Sequence, residues 1–407
     1  MRHVSAGGSD TIRRRLVAFI FTLAFATAAA AQSVPSSEPK APAATPLPEG
    51  SWRFIVSGDS RNCGDIVMPA IAAHGTKYAP SFYWQLGDLR AIYKIDEDMA
   101  FAAQNKGEVL SCDNYQRRAW NDFVENQIAA FGDEPFYVGI GNHEVIPPKN
   151  EEAFKRHFFD WLNMPGLQKQ RQMDREPLLP EAYFHWIQGG VEFIYLDNAS
   201  NYFSDDEQTW LIRRLQSATL NPEVKSVVVG MHAALPDSIA NYHSMGDNTT
   251  EPRARPSGEN VYKALAAFRD QSKKPVYVLA SHSHFYMENI FDTAKLKENG
   301  AKPLPGWIVG TAGAVRYPLP TGAPPTAKTD VYGYLLATVS ADGTIQFTFE
   351  EVHESDVPRS VQRRYPATAV PWCFAHNSMN REPTAADITP RCIATTVTTA
   401  PASAPSH

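Results

Sequence analysis

Short apolar runs, each closed by a Gly, Asp, Asn or His, recur along this 407-residue chain. Trp52 to Asp59 (WRFIVSGD), Ser81 to Asp88 (SFYWQLGD), Pro135 to Glu144 (PFYVGIGNHE), Ser226 to His232 (SVVVGMH) and Pro275 to His284 (PVYVLASHSH) share this form. A run of this kind, rich in β-branched and aromatic residues and bounded by Gly, reads as a buried strand. Gly141 permits a tight bend that turns Asn142 and His143 out at the end of the third run. Open α/β sheets keep their chemistry at such C-terminal ends. Val191 to Asn198, Trp307 to Val309, and a hairpin of Tyr334 to Val339 with Thr344 to Val352 around Asp342-Gly343 complete the predicted strands.

Helical spacing alternates with these runs. Asp65 to His74 reads as a helix interrupted at Pro69, whose imide cannot donate the interior hydrogen bond. Asn114 to Phe131 repeats Trp120, Phe123, Ile128 and Phe131 near helical spacing, and Glu151 to Leu162 carries an aromatic stripe expected to face the core. Asp205 to Ser217 opens with acids and ends with Arg213 and Arg214, the sense that suits a helix dipole, and Glu259 to Arg269 is a further helix. Two polar insertions interrupt the alternation, at Val145 to Glu181 and Pro236 to Gly258. The second follows His232 directly, so its Tyr242, His243, Arg253 and Arg255 are candidates to reach over the strand ends. His157, His185 and Asp197 are expected to be structural. Beyond Asp356 the periodicity fades.

Five run ends deliver six candidate metal ligands: Asp59, Asp88, Asn142, His232, His282 and His284. In order, the chain presents Asp59-Ser60-Arg61, Gly87-Asp88, Gly141-Asn142-His143-Glu144, Met231-His232 and Ser281-His282-Ser283-His284. This succession resembles the calcineurin-like metallophosphoesterase superfamily, whose motifs run D-x-H, G-D, G-N-H-[DE], a lone H and G-H-x-H, each after a strand. The resemblance covers Trp52 to Val352 and departs at two places, with Arg61 where many members carry His and Ser281 for the usual Gly. It implies an α/β fold, a layered αββα sandwich of two mixed sheets flanked by helices, which the alternation of strands and helices accommodates. It places Asp88 as a bridging carboxylate, Asp59 and His284 on a first metal ion, and Asn142, His232 and His282 on a second. His143 would assist at the phosphoryl oxygen or leaving group, with Glu144 supporting the site from behind.

The chemistry is coherent without the resemblance. Two divalent ions about 3.5–4 Å apart can clamp an in-line displacement and lower the pKa of a bound water. Asn142 offers a neutral oxygen, which leaves net positive charge for a phosphate, and imidazoles suit Mn, Zn, Fe or Ni. His282 and His284, two apart on an extended segment, would point to one face. Arg61 has no lone pair and cannot replace an imidazole as ligand; we expect weak occupancy of the first site and an outward Arg61 forking onto substrate phosphate, with Arg90 a lesser candidate for that contact. Ala91 stands where purple acid phosphatases place a ligand Tyr, and Tyr93 is out of register.

Charge and composition narrow the partners. A formal net charge of −6 argues against general nucleic-acid binding, and 43% hydrophobic residues suffice for a large core. Arg13 to Arg15 followed by apolar Leu16 to Ala31 matches a signal peptide, too short for a membrane span of about 20 residues. The expected organisation is therefore a signal peptide at 1–31, a Pro/Ala/Ser-rich linker at 32–50, a metallophosphoesterase domain at 51–355 and an extension with a disordered tail at 356–407. Periplasmic or secreted location makes Cys63, Cys112, Cys373 and Cys392 candidates for two disulfides; we expect Cys63 with Cys112 and Cys373 with Cys392. The function implied is an exported phosphoesterase using two divalent ions, in which metal-held hydroxide attacks a phosphate monoester or diester of a small substrate, with no stable membrane insertion after signal removal. The alternative is a catalytically weak relative that binds ligand at an incomplete first site. Nothing in the sequence marks an oligomeric state.

Overall fold

A computed structural model describes residues 47–240, 242–381 and 389–392; the expected signal peptide, most of the linker and the terminal tail lie outside them. Strands β1 (Trp52–Ser57), β2 (Tyr83–Gln85), β3 (Phe136–Val138), β4 (Phe184–Gln188), β5 (Val191–Leu196), β6 (Ser226–Met231), β7 (Val276–Ala280), β8 (Tyr286–Glu288), β9 (Gly306–Val309), β10 (Tyr332–Val339) and β11 (Ile345–Val352) form two mixed sheets. One runs β11-β10-β1-β2-β3 and the other β4-β5-β6-β7-β9-β8. Within them β1-β2-β3 and β5-β6-β7-β9 are parallel, and antiparallel strands close the edges. This is the expected layered α/β sandwich of two mixed sheets flanked by helices.

The period of two along each strand decides which layer each side chain joins. Phe193 and Tyr195 of β5 face the first sheet, where Phe193 packs edge-on against Phe54 and Phe82 and Tyr195 meets Trp84. Their neighbours Ile194 and Leu196 face the other way, into a cluster with Trp210, Leu211, Leu215, Val261 and Leu265 of the helices Asp205–Leu220 and Ala254–Ser272. Both faces of these strands are therefore buried, which is why they read as continuous apolar runs rather than alternating ones. Trp84 reaches the second sheet because β6 has Gly230 opposite it; a Cβ there would lie 2.5 Å from the indole.

Local details depart from the sequence expectation. Pro69 sits inside an unbroken helix, Gly64–Gly75. The periodic stretch at 114–131 is the helix Cys112–Asn126 followed by a 3₁₀ turn at Ile128–Phe131, and the aromatic stripe at 151–162 divides at Phe158 into two short helices. The helix expected from Glu259 begins at Ala254. Packing also continues where periodicity fades: Val357, Val361, Tyr365, Val370 and Trp372 join the main core through helices too short to show a period.

The disulfide expectation is overturned. Cys63 pairs with Cys373 and Cys112 with Cys392, across separations of 310 and 280 residues. The C-terminal segment returns across the loops that follow β1 and β2, where Cys392 N donates to Tyr93 O. Nearness in sequence was the wrong guide because both partners of each bridge are brought together by the return of that segment.

His185 of β4 is structural, as expected. Its Nε2 lies 2.9 Å from Asp174 and its Nδ1 3.1 Å from Glu192, while Arg214 pairs with Asp174 at 2.8 Å. Burial pushes this imidazole down, but Asp174 and Glu192 outweigh it and hold it above its ordinary value. Among the described residues no helix is long and apolar enough to cross a membrane.

Two outcomes follow. A non-reducing peptide map should return cross-linked peptides containing Cys63 with Cys373 and Cys112 with Cys392, and none joining Cys63 to Cys112. Because the folded state holds the His185 proton more tightly than the unfolded chain, its stabilisation is complete below the unfolded value of about 6.5 and is lost as pH rises through the raised folded value. Urea unfolding should therefore weaken from mildly acidic to alkaline pH, with a shallower decline in His185→Phe than in the wild type.

Candidate metal centre

All six candidate ligands arrive at one edge of the sandwich, because β1, β2, β3, β6 and β7 all end there. Two stitches join the sheets at this edge. Ser281 Oγ donates to Leu86 O at 2.9 Å, and Tyr195 Oη donates to Ile140 O at 2.6 Å. Ser281, the departure from the family's Gly, is thus buried and tied to the opposite sheet. The backbone at the edge is held in uncommon geometry: Asp59, Asp88 and His282 all have left-handed φ, at 59°, 57° and 64°. For residues with a Cβ this conformation is costly and persists only where the surroundings enforce it. Gly87, at φ 93°, and Gly141 pack backbone to backbone; a Cβ on Gly141 would lie 2.4 Å from Asp88 N and 2.5 Å from Asp88 Oδ1.

One set of donors is Asp88, Asn142, His232 and His282. His232 Nδ1 faces Leu86 O and Ser281 Oγ, each at 3.0 Å, which places its proton on Nδ1 and leaves a lone pair on Nε2. That Nε2 lies 2.9 Å from Asn142 Oδ1, 3.0 Å from His282 Nδ1 and 3.2 Å from Asp88 Oδ1. Electron-rich atoms this close repel unless something positive sits among them. The electrostatics carry the same message: burial pushes His232 down, yet the Asp88 charge raises it to about 9, so a proton would stand in for a metal cation. Oxygen and nitrogen donors in this number fit a divalent ion.

The other set is Asp59, Asp88 and His284, whose donor atoms lie within 4.8 Å of one another. His284 Nδ1 is 2.6 Å from Val315 O, so its lone pair is again on Nε2, 3.2 Å from Asp59 Oδ1. Here a positive group is already present. Arg61 is buried and points inward, with Nη2 3.1 Å from His284 Nε2 and Nε 3.5 Å from Asp88 Oδ2. The outward orientation expected from the sequence is not adopted, since burial against Asp59 and Asp88 gives the guanidinium carboxylate neighbours that solvent does not. Asp59 Oδ1 and Asp88 Oδ2 are both buried without a hydrogen bond. His282 and His284 serve different sets, because the segment bends at His282 instead of running extended.

Around the ligands, Glu144 accepts from the backbone N–H of Asp88, Leu89 and Gly141 at 2.8–3.0 Å, tying the β2 and β3 loops together. Burial and the Asp88 charge raise its pKa to about 8; positive charge at Asp88 would draw it back down. His143 turns Nδ1 onto Ala91 O at 2.6 Å and presents Nε2 3.4 Å from Asp88 Oδ2, with burial lowering its pKa to about 4. Asn198, which the sequence pattern also leaves at a strand end, accepts from His232 N and Ala233 N and so fixes the loop after β6. Tyr317 stacks on His284 with ring centroids 3.9 Å apart, and no local signal marked it.

The second insertion does reach the site. His243 packs against His282, and Tyr242, His243, Ser244, Asp247 and Asn248 wall a cavity of about 210 Å³ beside Asn142, His232 and His282. Arg253 and Arg255 instead pair with Glu251 and Asp237. Arg90 is not a substrate contact: it is wholly buried against Asp65, Asp96, Asp98 and Asp122. Asp197 accepts from Ala199 N in its own turn. Cavities of about 300 and 730 Å³ elsewhere contain none of the six ligand candidates.

Residues 63–286, more than half of the chain, match the family model described as calcineurin-like phosphoesterase. The chain belongs to that family. The match begins just past Asp59 and Arg61, where the sequence departs from the motif. Among solved structures, a purple acid phosphatase from yellow lupin (Lupinus luteus) seeds aligns at 15% identity over 75% of this chain and 52% of its own, with a TM-score of 0.49. PhoD aligns at 15% identity over 74% of this chain and 68% of its own, TM-score 0.47, and a metallophosphoesterase from Sphaerobacter thermophilus at 12% identity over 80% and 99%, TM-score 0.28. The chain thus spans about half the length of the lupin protein. Comparison with curated proteins returns no match.

Glu144→Gln should test how firmly the two loops are tied. An amide offers one acceptor oxygen and turns N–H groups toward N–H donors, so urea unfolding should show a loss of about 2 kcal/mol or more.

Proposed function

We propose that this protein is an exported, metal-dependent hydrolase of a phosphate monoester or diester, working at a dinuclear centre. The supporting observation is the meeting of two donor sets on one shared carboxylate, Asp88, at the ends of five strands. In this reading Asp88 would be shared by both ions, Asp59 and His284 would complete the first set, and Asn142, His232 and His282 the second. Divalent ions held there, of the Mn, Zn, Fe or Ni kind, would supply Lewis acidity and bring the pKa of a bound water into the neutral range.

The chain's own groups supply orientation and proton handling. Glu144 and Asn198 fix the loops that carry Asp88, Asn142 and His232. His143 is aimed by its bond to Ala91 O, with Nε2 toward the centre. A phosphoryl group arriving beside it adds negative charge, which favours the protonated imidazole and lets Nε2 donate to a phosphoryl oxygen or the leaving group. The neighbouring cavity, about 210 Å³ in volume, suits a small phosphorylated substrate. Export is supported by the basic-then-apolar N-terminal sequence and by two disulfides, which persist in oxidising compartments.

A second reading, a weakly active or inactive relative that binds ligand, draws on Arg61 lying within the first donor set. Turnover separates the two. With Mn, Zn, Ni or Fe supplied, aryl phosphate monoesters or diesters should be hydrolysed, and Asp88→Asn, His232→Ala and His143→Ala should each lower kcat/KM by about 100-fold or more. A wild-type protein inert toward both ester classes with every metal would reject the hydrolase.

A further inference from the structure

The two donor sets differ in one respect that bears on how many ions the chain holds. Around His232 Nε2 the neighbours are Asn142 Oδ1, Asp88 Oδ1 and His282 Nδ1. Around His284 Nε2 the guanidinium of Arg61 is already in place at 3.1 Å, while its Nε faces Asp88 Oδ2 at 3.5 Å.

His284 has a single lone pair to offer. Its Nδ1 faces Val315 O at 2.6 Å and so carries the proton. The Nε2 lone pair can accept from Arg61 or coordinate an ion, but it cannot do both. The same competition applies to Asp88 Oδ2. Arg61 is 4% exposed, so its charge is not spread into solvent, and a divalent ion placed beside it would meet a buried positive group at short range. A guanidinium does not lose its proton to relieve that contact. For an ion to take the first position, the Arg61 side chain has to leave it.

We infer that Arg61 is the resident cation of the first position, so that this chain holds one divalent ion firmly on Asp88, Asn142, His232 and His282 and admits a second only when Arg61 withdraws. The inference rests on the metal-centre reading above and narrows it: the dinuclear centre forms only once Arg61 has withdrawn. Arg61 supplies fixed positive charge where a second ion would otherwise sit, and it keeps Asp88 Oδ2 compensated while Oδ1 serves the ion. Exchanging Arg61 for a neutral residue removes both the competitor for the His284 lone pair and the repulsion.

The test is metal counting on purified protein by elemental analysis after desalting, with isothermal titration using Mn²⁺ and Zn²⁺ and circular dichroism to confirm folding. Wild type should retain about one ion per chain, and Arg61→Gln and Arg61→His about two. Adding His284→Ala to Arg61→Gln should return the count to about one. Two ions of equal affinity in wild type would overturn the inference and leave the metal centre standing. An unchanged count in both folded Arg61 variants, or a second ion that survives loss of His284, would overturn it as well. No ion bound by any form would reject the metal centre itself.

Discussion

The structure is organised around the problem of gathering electron-rich atoms in a dry place. Asp88 turns Oδ1 toward His232 and Oδ2 toward Arg61, so one buried carboxylate belongs to two donor sets at once. Its ionised form is costly to bury; His143, His232 and Arg61 outweigh that cost and hold its pKa well below the ordinary value. Nothing in an apolar core would tolerate such an arrangement without positive charge among the donors. That requirement fits candidate ligands drawn from both sheets and a surrounding chain committed to holding them still.

The holding is done by rigid parts. Aromatic side chains interleave between the sheets, with Trp84, Phe193 and Trp186 in mutual contact, and they set the spacing of the strand ends. Interiors packed in this way transmit displacement instead of absorbing it. At the edge, left-handed residues aim Asp59, Asp88 and His282, and glycines at 87 and 141 allow two backbones to touch. Glu144 clamps the result. The local conformations are unfavourable in isolation, and the fold maintains them because each is bonded to a neighbour that is itself fixed.

Two arginines near Asp88 illustrate how environment assigns a role. Arg61 and Arg90 both flank the family motifs and both are buried. Arg90 turns away into four aspartates and welds the loop after β2 to the helix Gly64–Gly75, where its charge is consumed in structure. Arg61 turns the other way and enters the donor set. The chemistry of the two side chains is the same; the carboxylates within reach differ.

Much of this was legible in the sequence. Apolar runs ending in Asp, Asn or His specify buried strands and put the six candidate donors at strand ends, because strand formation depends on residues close together in the chain. The family and its layered fold followed from the order of those runs. What required the tertiary structure were the relations between distant residues and the local bends they enforce: Cys63 with Cys373 instead of Cys112, Tyr317 stacked on His284, the left-handed bend at His282 where an extended segment was expected, and the inward turn of Arg61. A side chain's direction and partners depend on which remote groups the fold brings within a few ångströms, and local spacing carries no record of that.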